Sequence, residues 1–338
     1  MRRSLAWSQY VKVNEQKIVV CCPHGITGGP ELLHQLVHEL REMGRDAQIA
    51  YYPFEQTFAC PEPYEKYDAP QGPLIDATDT FVVVPETATW IVKRLKKARV
   101  GVWWLSVDCY FLALHQSRLK DVYHRFRSLI RGYRGLIRGR VPLFRMRHLI
   151  HFTQSHYAER FLAEASISSI PLTDYLGSDH LTQPFAPGTS TKEDIIAFNP
   201  KKGQKQTRAL MRAYPSIRFV PIQNMTPKQV AELLGRAKVY VDFGHHPGKD
   251  RPPREAAMAG CCVITGRAGS ARYHEDVAIP DKYKLDDSRA EYVKKFGELV
   301  EEIFGDFESH VQDFDGYRSR IIEEPATFKK QVADIFGY

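Results

Sequence analysis

The stretch from Asp242 to Thr265 gathers the side chains best suited to hold an anion. It runs Asp242-Phe243-Gly244-His245-His246-Pro247-Gly248-Lys249-Asp250-Arg251-Pro252-Pro253-Arg254-Glu255, continues through Ala256 to Gly260, and ends in the apolar segment Cys261 to Thr265. The pattern reads strand, polar loop, helix, strand. Asp250 suits a helix N-cap and prolines are tolerated in a first helical turn, so the loop would deliver a helix N-terminus to the strand ends, where phosphate is attracted. Lys249, Arg251 and Arg254 add positive charge there, and Glu255 offers a carboxylate for sugar or ribose hydroxyls. The plain alternative is a solvated helix start. His245 and His246 form either an ordinary surface pair or the ligands of a metal lacking carboxylate partners, and no second cluster supports a metal.

Other chemistry-bearing residues follow apolar runs. Gly25, Gly28 and Gly29 follow the run Lys17 to Cys22; without a GxGxxG pattern, a phosphate loop and a mere chain reversal are equally good readings. Asp108 follows the run Val100 to Val107, where acceptor chemistry would lie, and an N-cap explains it equally well. Glu86, after Thr80 to Val84, has the same two readings.

These residues need elements to position them. Lys17 to Cys22, a glycine turn, a helix from about Glu31 to Met43 capped by Gly44, and a strand from Ala47 to Tyr52 make a β-α-β opening. Strands at Thr80 to Val84, Val100 to Val107 and His148 to Thr153, with a helix near Thr87 to Lys97, complete a doubly wound first half. Gly177, Pro184, Pro187 and Gly188 punctuate the segment from Asp174 to Lys192, which reads as a linker. Alternation resumes with strands at Asp194 to Asn199, Ile217 to Ile222, Lys238 to Asp242 and Cys261 to Thr265, and helices near Lys205 to Arg212, Thr226 to Ala237 and Arg254 to Ala259. Amphipathic segments around Glu291 to Phe304, Glu308 to Ile321 and Thr327 to Phe336 read as closing helices.

Bulk properties agree with this layout. The 338 residues suit two domains, and 43% hydrophobic content supplies cores without any run long enough for a membrane span. No signal-peptide core follows Arg2 and Arg3, so export is not expected. The six cysteines contain no CxxC, and Cys21-Cys22 and Cys261-Cys262 lie in strand-like runs, which predicts reduced thiols and a cytoplasmic setting. Net charge is +7, but Arg118 to His148 holds ten basic residues against Asp121 alone. That local +9 leaves 37 basic and 39 acidic residues elsewhere.

The segment Glu255-Ala256-Ala257-Met258-Ala259-Gly260-Cys261-Cys262-Val263-Ile264 resembles the Glu-Ala-x-Ala-x-Gly-x-Pro-Val segment of the retaining nucleotide-sugar glycosyltransferases of the two-domain B-type fold. Cys262 stands where proline is usual. The resemblance spans roughly Lys17 to Ala271. It implies an α/β fold of two Rossmann-like parallel-sheet domains facing a cleft (GT-B type), with C-terminal closing helices. Domains are expected at 1–173 and 193–320, with a linker at 174–192 and a closing helix at 321–338. It implies that Glu255 binds the donor ribose, that Lys202 in Asn199-Pro200-Lys201-Lys202-Gly203 meets the diphosphate, and that Gly28-Gly29 faces the donor phosphates. The family's Gly-Arg before that lysine is absent here. Asp174-Tyr175-Leu176-Gly177-Ser178-Asp179 resembles the family's interdomain stretch. The family's first glutamate falls at Pro247, so His246 or Lys249 substitutes for it, or the donor differs.

The expected donor-binding set is Gly28, Gly29, Lys202, Lys249, Arg251, Arg254, Glu255 and Ser270, and the expected catalytic set is His246, Glu255 and Asp108. The implied activity is metal-independent, retaining glycosyl transfer from a nucleotide sugar to a glycan, lipid-linked or other hydroxyl acceptor, in polysaccharide or glycoconjugate synthesis. No cofactor is expected beyond the co-substrate. The rival within the fold is a sugar-nucleotide binder or epimerase. The rival outside it is a nucleic-acid-binding protein, suggested by Tyr123, Phe126, Tyr133 and Phe144 among the basic residues and disfavoured by the slightly acidic remainder. Arg118 to Arg147 is expected to dock on an anionic membrane surface, making the enzyme peripheral on its inner face, or on a polyanionic acceptor.

Overall fold

A computed structural model describes residues 12–114, 141–177 and 192–337. Contacts divide the chain into two units, Met1–Asp174 with Ala326–Tyr338, and Tyr175–Pro325. Each unit is built on one parallel sheet flanked by helices.

The first sheet comprises β1 (Lys17–Pro23), β2 (Asp46–Tyr52), β3 (Thr80–Pro85), β4 (Arg99–Trp104), β5 (Ile150–Thr153) and β6 (Ile170–Pro171), in the order β2-β1-β3-β4-β5-β6. Its central strands β1, β3 and β4 carry no polar side chain after their first residues, because both faces are covered, as parallel sheets require. Helix α1 (Gly28–Glu42) buries Leu32, Leu33, Leu36, Val37 and Leu40 along one stripe. Cys21, Val82, Val84 and Ile91 form one buried cluster; Val102, Trp104, Tyr110 and Leu162 form another with helices α2 (Val107–Leu114) and α3 (His156–Glu164). The helix expected at Thr87 to Lys97 is instead a kinked 3-10 segment, Glu86–Arg94, broken at Ala88 (φ −125°). The fourth strand ends at Trp104, not Val107, because Ser106 Oγ accepts the Cys109 N–H (3.2 Å) and starts α2.

The second sheet comprises β7 (Glu193–Phe198), β8 (Arg218–Pro221), β9 (Ala237–Asp242) and β10 (Cys262–Thr265), in the order β10-β9-β7-β8. Helices α4 (Gln204–Ala213), α5 (Pro227–Arg236) and α6 (Arg251–Met258) connect the strands. The half-buried Lys192 ammonium donates to the carbonyls of Leu234 (2.8 Å), Ala237 (2.9 Å) and Ala259 (2.7 Å), a cation where α5 and α6 end. Closing helices α7 (Tyr292–Gly305) and α8 (Phe307–Gln312) pack Phe296, Leu299, Ile303 and Phe307 into this core. Each fully buried side chain of this size contributes ~1.5–3 kcal/mol.

The last two amphipathic segments of the sequence are not separate helices of the expected extent. One helix, α9 (Asp315–Phe336), runs through Pro325. Proline there removes one intrahelical hydrogen bond, and packing of Phe328, Val332 and Phe336, all fully buried, holds the helix together beyond it. Among the described residues no helix is long and apolar enough to cross a membrane.

Candidate functional site

Strand order locates the ligand-binding edge of each sheet. In the second sheet the chain leaves β7 for β8 on one side and returns to β9 on the other, so the switch point lies between β7 and β9. Open α/β sheets bind ligands outside the carboxyl ends of the strands flanking such a point. The turn after β7 carries Lys202, and the loop after β9 carries Gly244 to Asp250.

These two connections touch. Gly203 adopts φ +55°, and a Cβ there would lie 2.7 Å from the Phe243 carbonyl carbon; at Gly244 it would lie 2.5 Å from the Lys202 Cβ. Only glycine permits that approach at Gly203, where both the left-handed backbone and the space demand it. Lys202 is thereby held over the β9 loop, its Nζ 2.5 Å from Asp250 Oδ2. His246 Nδ1 lies 3.2 Å from the same carboxylate oxygen, and its Nε2 lies 3.6 Å from Asp242 Oδ1. Asp242 Oδ1 also accepts the Gly244 N–H (3.0 Å). Burial of the His246 ring disfavours its proton, but Asp250 and the charge on Asp242 outweigh this and raise its pKa. Burial likewise opposes charge on Asp250, and His246 and Lys202 outweigh it, lowering the pKa.

Asp242, His246 and Asp250 place one ligand atom each within 4.8 Å of one another, so the histidine does have carboxylate partners, contrary to the sequence reading. Their donors are already engaged: Lys202 neutralises Asp250, and a backbone amide holds Asp242. The arrangement is an ion-pair network.

The cations of the loop are also paired, two of them with Glu324, an acid that the sequence reading overlooked. Lys249 Nζ pairs with Glu324 Oε1 (2.6 Å) and Arg254 with Glu324 Oε2 (2.7 Å). Arg254 is fully buried and also donates to the carbonyls of Lys249 (3.0 Å) and Asp250 (3.3 Å), so it shapes the loop from beneath. Arg251 pairs with Glu255 (3.0 Å), one helical turn on. Ser270 is buried, its hydroxyl donating to the Gly248 carbonyl (2.6 Å) and its N–H to that of His246 (2.9 Å). His246, Arg254 and Ser270 thus support the loop from inside, while Lys202, Arg251 and Glu255 retain partial exposure.

Asp250 occupies the N-cap position of α6 but its side chain makes no capping hydrogen bond. The reason is covalent. A cap accepts from the second or third helical N–H, and here those positions are Pro252 and Pro253, which have none. The same prolines leave this helix N-terminus poorer in anion-binding amides than the sequence reading supposes.

In the first unit the switch point lies between β1 and β3. Gly28 opens α1 with room for a Cβ, and a Cβ at Gly29 would lie 3.9 Å from Leu105 Cδ1. The Leu105 N–H donates to buried Glu86 Oε2 (3.0 Å), so Glu86 ties the ends of β3 and β4 together. Asp108 lies in the first turn of α2 and accepts from the Tyr157 hydroxyl (2.9 Å); Ser106, not Asp108, caps the helix. A cavity of about 550 Å³ beyond β2 is lined by Tyr51, Phe54, Gln56, Phe58, Gln71 and Arg94 among others.

Of the basic stretch, Arg118 to Arg140 lies outside the described residues, as does most of the expected linker. All six cysteines are free thiols, and burial pushes Cys21, Cys22, Cys261 and Cys262 up in pKa.

No protein-family profile and no curated protein sequence matches the chain. Solved structures do resemble it in fold. A sucrose-phosphate synthase from Thermosynechococcus elongatus is 11% identical with a TM-score of 0.59, over 94% of this chain and 97% of that one. A glycosyltransferase from Rickettsia africae ESF-5 is 10% identical with a TM-score of 0.56, over 94% and 99%. WaaG, a glycosyltransferase involved in lipopolysaccharide biosynthesis, is 13% identical with a TM-score of 0.56, over 95% and 100%. At such identity the likeness is one of fold: two parallel-sheet α/β domains.

Proposed function

We propose that this chain transfers a glycosyl group from a nucleotide-sugar donor to a hydroxyl acceptor. The observation that carries the reading is the convergence of Lys202 and the Gly244-to-Glu255 segment at the switch point of the second sheet. It occurs in a fold shared with two glycosyltransferases and a sucrose-phosphate synthase along nearly their whole length.

In this reading Lys202 receives the donor diphosphate and stabilises it as it departs, so that no metal is required for that charge. Glu255 accepts from ribose hydroxyls, with Arg251 orienting its carboxylate at 3.0 Å. His246, Arg254 and Ser270 fix the loop, and the amides of Gly28 and Gly29 are further anion donors. The acceptor is a glycan or lipid-linked hydroxyl in polysaccharide or glycoconjugate synthesis, drawn to the first unit and to the basic stretch Arg118 to Arg147, which docks on an anionic surface. With Pro247 in place of the family's first glutamate, transfer with retention is tested by the anomeric configuration of the product.

The deciding experiment screens UDP-, GDP-, CMP- and dTDP-sugars by thermal shift, then assays the stabilising donor for transfer. Glu255→Ala is expected to nearly abolish transfer at an unchanged melting temperature. Unchanged turnover in the folded variant would sink the role of Glu255. Donor turnover to an isomer without any disaccharide or glycoconjugate product would favour an epimerase.

A further inference from the structure

We infer that Asp250 is a built-in counter-anion for Lys202, which an incoming phosphate must displace. The inference rests on the reading of Lys202 as the phosphate ligand and adds what limits it.

Three observations carry it. First, Asp250 sits where an aspartate ordinarily caps its helix, yet Pro252 and Pro253 remove the amides it would cap. Its carboxylate faces the Lys202 ammonium instead, at 2.5 Å. A largely buried carboxylate in this position holds Lys202, which the turn after β7 brings to the switch point.

Second, the carboxylate has a fallback partner. His246 Nδ1 lies 3.2 Å from the same oxygen, and the His246 side chain is fully buried, with Nε2 3.3 Å from the Asp242 carbonyl. When phosphate takes Lys202, Asp250 keeps the imidazole, so the exchange strands no unpaired buried charge; stranding one is what makes breaking such pairs costly. Third, the neighbouring cations are also paired, Lys249 and Arg254 with Glu324 and Arg251 with Glu255. Each of these cations therefore has an internal carboxylate partner in the absence of ligand, and anion affinity at Lys202 is set by how readily Asp250 yields. Phosphate, with more charge and more acceptor oxygens than a carboxylate, wins that exchange; a monoanionic carboxylate ligand does not. Asp250 is thus a positioning residue that selects for polyanionic ligands through Lys202.

The test uses inorganic pyrophosphate as the probe, with the full chain, by isothermal titration at fixed salt. Asp250→Asn keeps the shape and removes the charge. It is expected to bind pyrophosphate at least about tenfold tighter than wild type, the value of one charge-assisted hydrogen bond no longer contested. In a Lys202→Gln background the same substitution is expected to bring no gain. Equal or weaker binding by folded Asp250→Asn overturns the inference, as does a gain that persists without Lys202. Should Asp250→Asn not fold, the wild-type complex with pyrophosphate decides: Lys202 bound to phosphate with Asp250 on His246 is expected, and an intact Lys202–Asp250 pair overturns it. If wild type binds pyrophosphate and Lys202→Gln binds it equally, the phosphate role of Lys202 itself falls, a result distinct from binding at Lys202 that Asp250 does not restrain.

Discussion

Three buried histidines respond to pH with opposite signs. His34 donates from Nδ1 to the Pro30 carbonyl (2.7 Å) and accepts at Nε2 from the Tyr51 hydroxyl (2.8 Å). His151 accepts the Trp104 indole N–H (2.9 Å) and donates to the Met146 carbonyl (2.9 Å). Both are neutral in these bonds, and burial pulls both pKa values below the ordinary 6.5. A lowered histidine leaves the folded state unable to take the proton that the unfolded chain takes, so stability is lost as pH falls through 6.5. His246 is raised, so its contribution is complete below 6.5 and is lost as pH rises through its folded value. Asp250 is lowered, so its share is present above 3.8 and lost as pH falls through its folded value. Acidification from about pH 7.5 to about 5.5 spans the ordinary histidine pKa, so over that range the first unit should lose denaturant resistance, followed by tryptophan fluorescence. Over the same change the second unit should gain it, followed by hydrogen-exchange protection of β7 and β9. The same sign in both units would refute the assignment. The placement of Lys202 after β7 and of Glu255 in α6 was legible because each lies in a local pattern. Glu324 was not, since it meets Arg254 across 70 residues of chain. The failure of Asp250 to cap was legible in Pro252-Pro253, though read there only as tolerated prolines.

At the scale of elements, apolar runs placed every long strand to within a few residues, because a parallel strand covered on both faces must be apolar throughout. Ends were less legible where polar contacts decide them: Ser106 cuts the fourth strand short, and Pro325 breaks the periodic pattern without breaking the helix. The basic stretch carried a charge signal without a structural one, since Gly132, Gly135 and Gly139 weaken any helix there. Its proposed docking follows from charge alone. Attraction to an anionic leaflet is about 1 kcal/mol per basic residue, so replacing Arg127, Arg131, Arg134 and Arg138 by Glu should abolish cosedimentation with phosphatidylserine-containing vesicles at low salt. Equal binding of wild type to neutral and anionic vesicles, or unchanged binding of the variant, would rule the docking out.

At the scale of the molecule, the two sheets were legible from alternation, whereas the allegiance of the final helix was not. Amphipathicity shows that α9 buries a stripe and not what covers it. Contacts assign Glu324 and Pro325 to the second unit and everything from Ala326 onward to the first. Phe328 stacks on Trp103 (centroids 6.4 Å, 15° between planes), and Phe336 meets Phe81 (6.1 Å) and Phe152 (5.9 Å). Gln331 Oε1 accepts the Thr173 N–H (2.7 Å), and the Ile335 carbonyl accepts that of Val13 (2.9 Å). The carboxyl-terminal half of the helix is therefore core of the first unit. Phe328→Ala should cost that unit about 3–5 kcal/mol through the lost burial and the cavity left against Trp103. The effect can be read selectively, because Trp7, Trp90, Trp103 and Trp104 all belong to the first unit and the second has no tryptophan. In Phe328→Ala the tryptophan-fluorescence transition should move to lower denaturant, while hydrogen-exchange protection of Ile195 to Phe198 in β7 stays as in wild type. A variant whose fluorescence transition does not move, or whose β7 protection falls first, would place Phe328 in the other core.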